Sequence, residues 1–530
     1  MTDARGTLLW QYPEHWAAKK PDAEALVFEG ERVTWREFRE LTDNIAKAFI
    51  EIGVAAGERV AMLSMARTEF LPTFMAASKI GAAWVGLSPK FSYDELLYIL
   101  RDCAPTVLVT LREYGDRDLT GDIQNFMREV PSLKRVLVIG EPVEGAESFH
   151  EFVDRPRPEA KQTLNARAEQ GNPKDDVLLM YTSGSTGKPK GVLHSHESII
   201  RNIEVEAARF GVDGDSRVLL HFPINHVAAD VEIGFAALYA GACTVMMDRF
   251  DPVASLKTVE SEGVTLFGQV PAMFLMQFAR PEAKEIDWRS VRTFVWAGAA
   301  APRPLVEGLA AIAEKTGARL ITGYGSTELA GFVTYSDPND DIDTLTSSVG
   351  RIAEPFELRV VDDERRELPA GAVGELAVRR PIVTKGYLNR PEDTAAVLDE
   401  DGWYYTDDLG YLDERGYIYL TGRKSEMFKS GGENVHPREI EEALEQHPGV
   451  LFAAVLGVPD DVYQEVGHAF VMPKPGAGID ADSLRAHCRE HLANFKVPKT
   501  IDIHAQLPLL PTGKVNKVAL RELLEQGAKQ

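Results

Sequence analysis

A buried strand that runs straight into a loop rich in glycine and hydroxyls constrains this chain more than any other feature. The apolar run 177–180 is followed at once by Tyr181-Thr182-Ser183-Gly184-Ser185-Thr186-Gly187-Lys188-Pro189-Lys190-Gly191, which holds four Ser/Thr hydroxyls, three glycines and two lysines. A short apolar run of this kind reads as a buried strand. The glycines after it let the backbone turn so that successive N–H groups face one concavity suited to an anion, and Lys188 and Lys190 add full positive charge. The pattern is a phosphate cradle, but not the Walker loop: only two residues separate Gly184 from Gly187, and Lys188 is followed by proline. A mobile Gly/Ser surface turn is the alternative reading for this stretch taken alone.

A chain of 530 residues exceeds what one hydrophobic core supports, so at least two domains are expected. The net charge of −23 argues against general binding of nucleic acid or anionic membrane, so an anionic ligand must be met by local basic clusters. Cys103, Cys243 and Cys488 lie far apart and fit neither a disulfide framework nor a metal-ligand spacing. The first residues lack a basic segment followed by an apolar one, and a cytoplasmic location is the expectation. The longest apolar run, 233–247, is shorter than the roughly 18 to 20 residues that span a bilayer and reads as a buried helix-to-strand passage.

Strand and helix signals alternate up to about residue 420: a strand over 25–28, a helix over 35–53, strands over 59–62, 219–222, 264–268, 293–296 and 319–322. This rhythm predicts a layered α/β architecture, in which ligands bind where loops leave strand ends. A last strand, 417–421, runs into Gly422-Arg423-Lys424-Ser425, and a compact segment with its own α/β pattern follows. The expected organisation is a large domain over 1–422, a hinge over 423–425 and a small domain over 426–530.

A second chemical cluster follows the 319–322 strand, where Tyr324-Gly325-Ser326-Thr327-Glu328 puts a ring, hydroxyls and a carboxylate at one strand end. Tyr405-Thr406-Asp407-Asp408-Leu409-Gly410, Gly422-Arg423 and Pro511-Thr512-Gly513-Lys514 come later in the chain. These segments, in this order, together with 72–89, Gly457-Val458-Pro459-Asp460 and Lys496-Val497-Pro498-Lys499, resemble the adenylate-forming superfamily. Lys514 in its setting and Ser430-Gly431-Gly432-Glu433-Asn434 look most like its acyl-CoA synthetases.

The resemblance implies a large N-terminal domain of two β-sheets with helices plus a distorted barrel, and a small mobile C-terminal α/β domain. It implies an acid:CoA ligase that joins a carboxylate to ATP and then lets the CoA thiol displace AMP. Delivery of the acyl group to a carrier protein or another acceptor is the alternative, and a non-catalytic nucleotide-binding relative is a third reading. Residues Thr182, Ser183, Gly184, Ser185, Thr186, Gly187, Lys188 and Lys190 would hold the β- and γ-phosphates. Thr327 would touch the α-phosphate, and Glu328 would ligate Mg2+, a hard cation that takes oxygen donors. Tyr324 and Gly325 would lie against adenine, with Gly298, Ala299 and Ala300 on its other side. Of the adjacent carboxylates Asp407 and Asp408, Asp408 matches the family's aspartate and would accept the ribose hydroxyls, with Arg423 bracing the sugar. Lys514 is the candidate catalytic cation for adenylation.

Ser425 is the expected hinge, a position where many relatives carry Asp or Lys. Rotation there would withdraw Lys514 and bring Lys429, Ser430, Gly431 and Gly432 to the site as a pantetheine tunnel. His226 corresponds to the gate beside the acyl site, with helix capping as its plain alternative. Asp230, one turn on, is expected either to recognise a polar group on the acid or to pair with a basic neighbour. Val231, Val270, Met273, Trp296 and Gly298 would complete the wall. The implied partners are a small carboxylic acid, ATP and CoA, without nucleic acid or an integral membrane span, in a monomer or homodimer.

Overall fold

The computed structural model describes residues 6–182, 188–379, 383–474, 476–509 and 515–527. Two sheets form the large body. The first has nine strands in the order Arg351–Ile352, Gly331–Tyr335, Arg319–Ser326, Thr293–Trp296, Leu266–Gln269, Arg217–Leu220, Cys243–Met246, Glu24–Phe28 and Glu31–Thr34. Its centre is parallel and both edges are antiparallel. The second has seven strands ordered Lys190–Ser195, Asp176–Thr182, Ala83–Leu87, Arg59–Leu63, Val107–Leu111, Arg135–Ile139 and Glu147–Ser148. Strands such as Val107–Leu111 are apolar and buried throughout, as expected of parallel strands covered on both faces.

The helix Phe70–Lys79 is buried along its whole length, which is why its sequence shows no polar face. Its Phe74 ring lies 5.4 Å from Trp84 of the seven-stranded sheet and 4.4 Å from Phe235, so it joins the two layers. Local signals set other boundaries. Trp35–Ile52 starts at a reciprocal Thr34–Glu37 cap and stops at Gly53, whose φ is 87°.

The part expected as a distorted barrel is a four-stranded antiparallel sheet of Glu357–Val361, Gly374–Arg379, Trp403–Leu412 and Ile418–Arg423. That sheet ends at Arg423. The next strand, Phe428–Ser430, belongs to a separate five-stranded sheet with Glu433–Val435, Gln464–Pro473, Val450–Asp460 and Thr500–Ile503, and this unit has its own core. Among the described residues, no helix is long and apolar enough to cross a membrane. The three cysteines are free and buried.

Candidate active site

The polar centre of the molecule lies where the four-stranded sheet meets the end of Arg319–Ser326. Asp408 and Arg423 stand directly opposite each other across an antiparallel ladder, and the Arg423 Nε donates to Asp408 Oδ1 at 3.0 Å. Tyr324 approaches from the other sheet and donates its hydroxyl to Asp408 Oδ2 at 2.6 Å. Each carboxylate oxygen therefore has one lone pair engaged and one left to accept a further donor. The Asp408 charge holds the Arg423 guanidinium protonated well above its ordinary range. Burial, with Asp408 adding to it, drives the Tyr324 phenol firmly to its neutral form.

Gly325 owes its identity to the fold. A Cβ there would lie 2.0 Å from the Gly331 carbonyl, so only glycine lets Arg319–Ser326 pack against its return strand. Gly298, with φ 84°, and Ala299 and Ala300 are exposed just beyond the end of Thr293–Trp296, in the strand-end position where ligands of such sheets bind.

Glu328 is set by residues that sequence reasoning missed. The Tyr387 hydroxyl donates to its carboxylate at 3.2 Å, the Thr384 N–H donates to its backbone oxygen at 2.8 Å, and His194 Nε2 donates to the Thr327 carbonyl at 2.6 Å. Burial lowers the His194 imidazole to about 4, so the ring is neutral and serves as a strut. Burial also raises the Glu328 carboxyl. A buried carboxyl oxygen whose ionisation burial disfavours suits a hard divalent cation, whose charge would favour the carboxylate.

In the glycine-rich segment, Thr182 ends one strand and pairs with Lys190 at the start of the next. Ser183 to Gly187 lie outside the described residues. Lys188 Nζ lies 5.5 Å from the centre of the Tyr98 ring, and Lys190 Nζ contacts Asp393 at 2.9 Å. Lys190 is thus already paired, and a phosphate would have to take it from Asp393. Lys514 also lies outside the described residues, but its flanks do not. Leu509 and Val515 pair with each other in an antiparallel bridge.

The residues expected beside the acid are held differently. His226 sits in the turn before the π-helix Ala228–Phe235, with Nδ1 accepting the Ala228 N–H at 3.1 Å and its ring stacked near Phe222. Val231, Val270 and Met273 are buried in the core between the sheets. Two expectations need correcting. Trp296 faces the opposite side of its strand, in the outer core with Phe267, Phe274 and Phe294, because successive side chains alternate; Val295 occupies the inter-sheet face. Asp230 has no exposed surface, and neither of its oxygens has a hydrogen-bond partner among the described residues. Among the described residues it meets no basic partner, and burial pushes its carboxyl well up from the ordinary carboxylate range.

The two neighbouring aspartates have separate partners. Asp407 turns away from Asp408, with φ 67°, and accepts the Ser425 N–H at 3.1 Å and the Ser425 hydroxyl. The segment after Arg423 is tethered from both sides. Lys424 reaches Asp363 at 2.8 Å on the large body, and Glu426 is held by Lys517 at 2.5 Å on the small one. Lys429 to Gly432 lie within the sheet of the small unit. Gly431 and Gly432, at φ 61° and 91°, form the two-residue turn of a hairpin, a conformation that itself demands glycine.

Comparison with known proteins agrees with this geometry. Residues 13–388 match the AMP-binding enzyme family, and residues 439–514 match the AMP-binding enzyme C-terminal domain. The chain belongs to this adenylate-forming family. It is 35% identical to the 3-[(3aS,4S,7aS)-7a-methyl-1,5-dioxo-octahydro-1H-inden-4-yl]propanoyl:CoA ligase of Mycobacterium tuberculosis (strain ATCC 25618 / H37Rv), over 95% of this chain and 96% of that protein. It is 34% identical to the feruloyl-CoA synthase of an Amycolatopsis species, over 97% and 98%. The structure of an anthranilate CoA ligase in complex with anthranoyl-AMP superposes with a TM-score of 0.88 at 29% identity, covering 99% of this chain and 98% of that one. The AMP-binding enzyme described here is an AMP-forming acid:CoA ligase.

Proposed function

We propose that this ligase activates an acid with a largely apolar body through ATP and Mg2+, in two half-reactions separated by a rotation at residues 423–425. The carrying observation is Asp408, held by Tyr324 from one sheet and Arg423 from its own, with a lone pair remaining on each oxygen. Two vicinal hydroxyls of a ribose match that remaining capacity. Gly298 to Ala300 and Tyr324 would flank the adenine, and Thr327 would donate to the α-phosphate. The Thr182 to Lys190 segment would hold the β- and γ-phosphates, and Mg2+, when bound at Glu328, would neutralise phosphate charge.

In the first half-reaction the acid's carboxylate oxygen attacks the α-phosphorus, the bond to the bridging oxygen breaks, and pyrophosphate leaves. Charge neutralisation and in-line positioning supply most of the acceleration in such transfers, and Lys514 would supply the cation beside the attacking oxygen. The acyl carbon then accepts the CoA sulfur and AMP departs. His226 would gate this approach, and Lys429 to Gly432 would line the thiol's path. The buried Val231, Val270 and Met273 support an apolar acid body.

The test is mass spectrometry of products after incubation with Mg-ATP, CoA and a panel of aliphatic, hydroxylated and ring-bearing acids. One new acyl-CoA with matching AMP is expected. Acyl-AMP without acyl-CoA would assign a different acceptor, and thioesters formed from charged or strongly polar acids in preference would overturn the apolar wall.

A further inference from the structure

The small domain carries a cluster that the ligase reaction does not use. Its helix Ala481–His491 ends in His487-Cys488-Arg489-Glu490-His491, and the potential ligand atoms of His487, Glu490 and His491 all lie within 4.8 Å of one another. Spacings of three and four residues put all three on one helix face. We propose that these residues form a binding site for a divalent transition-metal ion, Zn2+ being the natural probe.

Three observations carry the assignment. First, His487 is oriented as a metal-binding imidazole is. Its Nε2 donates to the Ala443 carbonyl at 2.9 Å, on the neighbouring helix Pro437–Gln446, which fixes the tautomer and leaves the Nδ1 lone pair free. Second, the other two ligands can close in. Glu490 and His491 are exposed, and the His491 ring already lies 4.5 Å from that of His487 between centroids, tilted by 56°. A tetrahedral zinc site needs ligand atoms about 3.3 Å apart, a small side-chain rotation from this arrangement. Third, the competing donors point elsewhere. Cys488 lies in the core of the domain with no exposed surface, and His447, 5.2 Å from His487, has its Nδ1 occupied by the Gly449 N–H.

Two imidazoles and one carboxylate select zinc, nickel or copper over magnesium, which prefers an all-oxygen shell. Three protein ligands leave a position for water. The site is therefore chemically distinct from Glu328, and it stands whether or not the ligase reading of the catalytic cleft is right. Because His487 is also tied to Pro437–Gln446, an ion here would brace the last turn of one helix against the other.

The experiment is calorimetric titration of the full chain with Zn2+ in excess Mg2+, which occupies any hard oxygen site, followed by anomalous diffraction at the zinc edge. One equivalent should bind, with an anomalous peak between His487 and His491. His487→Ala and His491→Ala should each weaken binding at least about tenfold, as loss of a ligand does, and Glu490→Gln by less. His491 is exposed, so its variant tests binding without risk to folding. Unchanged titration in both histidine variants, a peak elsewhere, or saturation only above roughly 1 mM, an affinity of about 4 kcal/mol and so an adventitious ion only, would each overturn the site.

Discussion

The two halves of the catalytic cleft are held by opposite means. On the nucleotide side, polar groups are tied to one another across element boundaries: Tyr324 and Arg423 to Asp408, Tyr387 to Glu328, His194 to the Thr327 carbonyl. On the side proposed for the acid, Val231, Val270 and Met273 are closed in by packing, and the nearby Asp230 carboxyl has no hydrogen-bond partner among the described residues. The first half is organised before any ligand arrives, so its recognition is rigid. The second, if it takes the acid as proposed, would have to yield to admit it, and would select by volume.

The largest expected break in this contrast is Lys514→Ala. Adenylation, followed by pyrophosphate release, should fall by about 10²- to 10³-fold, the usual scale for losing one group aimed at developing charge. Thioester formation from supplied acyl adenylate should persist, and parallel loss of both steps would make the lysine structural. Asp408→Ala comes next. It frees Arg423 and Tyr324 from their shared acceptor, and kcat/KM for ATP should drop roughly 100-fold; an unchanged KM for ATP would remove Asp408 from the nucleotide half.

Met273→Ala tests the other half. Competition between acids differing by one or two methylenes should shift by roughly 10- to 200-fold toward the larger, with KM for ATP unaltered. A moved ATP constant would mean the halves are not separable. Asp407→Gly has a smaller expected effect. It removes the bonds to Ser425, a change on the order of 1 kcal/mol, so the ratio of the two half-reaction rates should move about fivefold. Equal change in both rates would place the contact outside the domain rotation.

Asp230→Asn gives the smallest effect, in stability alone. The folded carboxyl keeps its proton above the pH at which the unfolded one releases it. Stability is therefore unaffected below the ordinary carboxylate range and declines as pH rises above it, by at most about 1.4 kcal/mol per pH unit, until the folded group ionises. Thermal unfolding of the asparagine variant between pH 4 and 7 should lack that component of the slope, whereas identical slopes would give Asp230 an ionised partner.

Much of the nucleotide half was legible because its residues sit in contiguous runs at strand ends, as with Tyr324 to Glu328 and Asp408. The supports were not. His194, Thr384 and Tyr387 reach Thr327 and Glu328 from distant segments, and no local pattern marks them. The side of Trp296 was illegible for a different reason. All four residues of Thr293–Trp296 are buried, so no polar alternation reveals which face each side chain takes. Nor does sequence show that Asp407 and Ser425, the expected hinge residue, are bonded to each other. Gly431 and Gly432 were legible as glycines, but the turn explains them without a tunnel.

The position of Glu24–Phe28 in the nine-stranded sheet has a consequence for biogenesis. Its parallel partner is Cys243–Met246, more than 200 residues further along the chain. At roughly 5 to 20 residues per second of synthesis, the first strand waits on the order of 10 to 40 seconds for the strand that completes it. During that interval Ala25 to Phe28 can pair only with Glu31–Thr34, and its other edge is open to any extended segment nearby. The seven-stranded sheet lies entirely within residues 59–195 and can close before the nine-stranded sheet is made. In a cell, then, of the two large sheets the one that begins first is finished second.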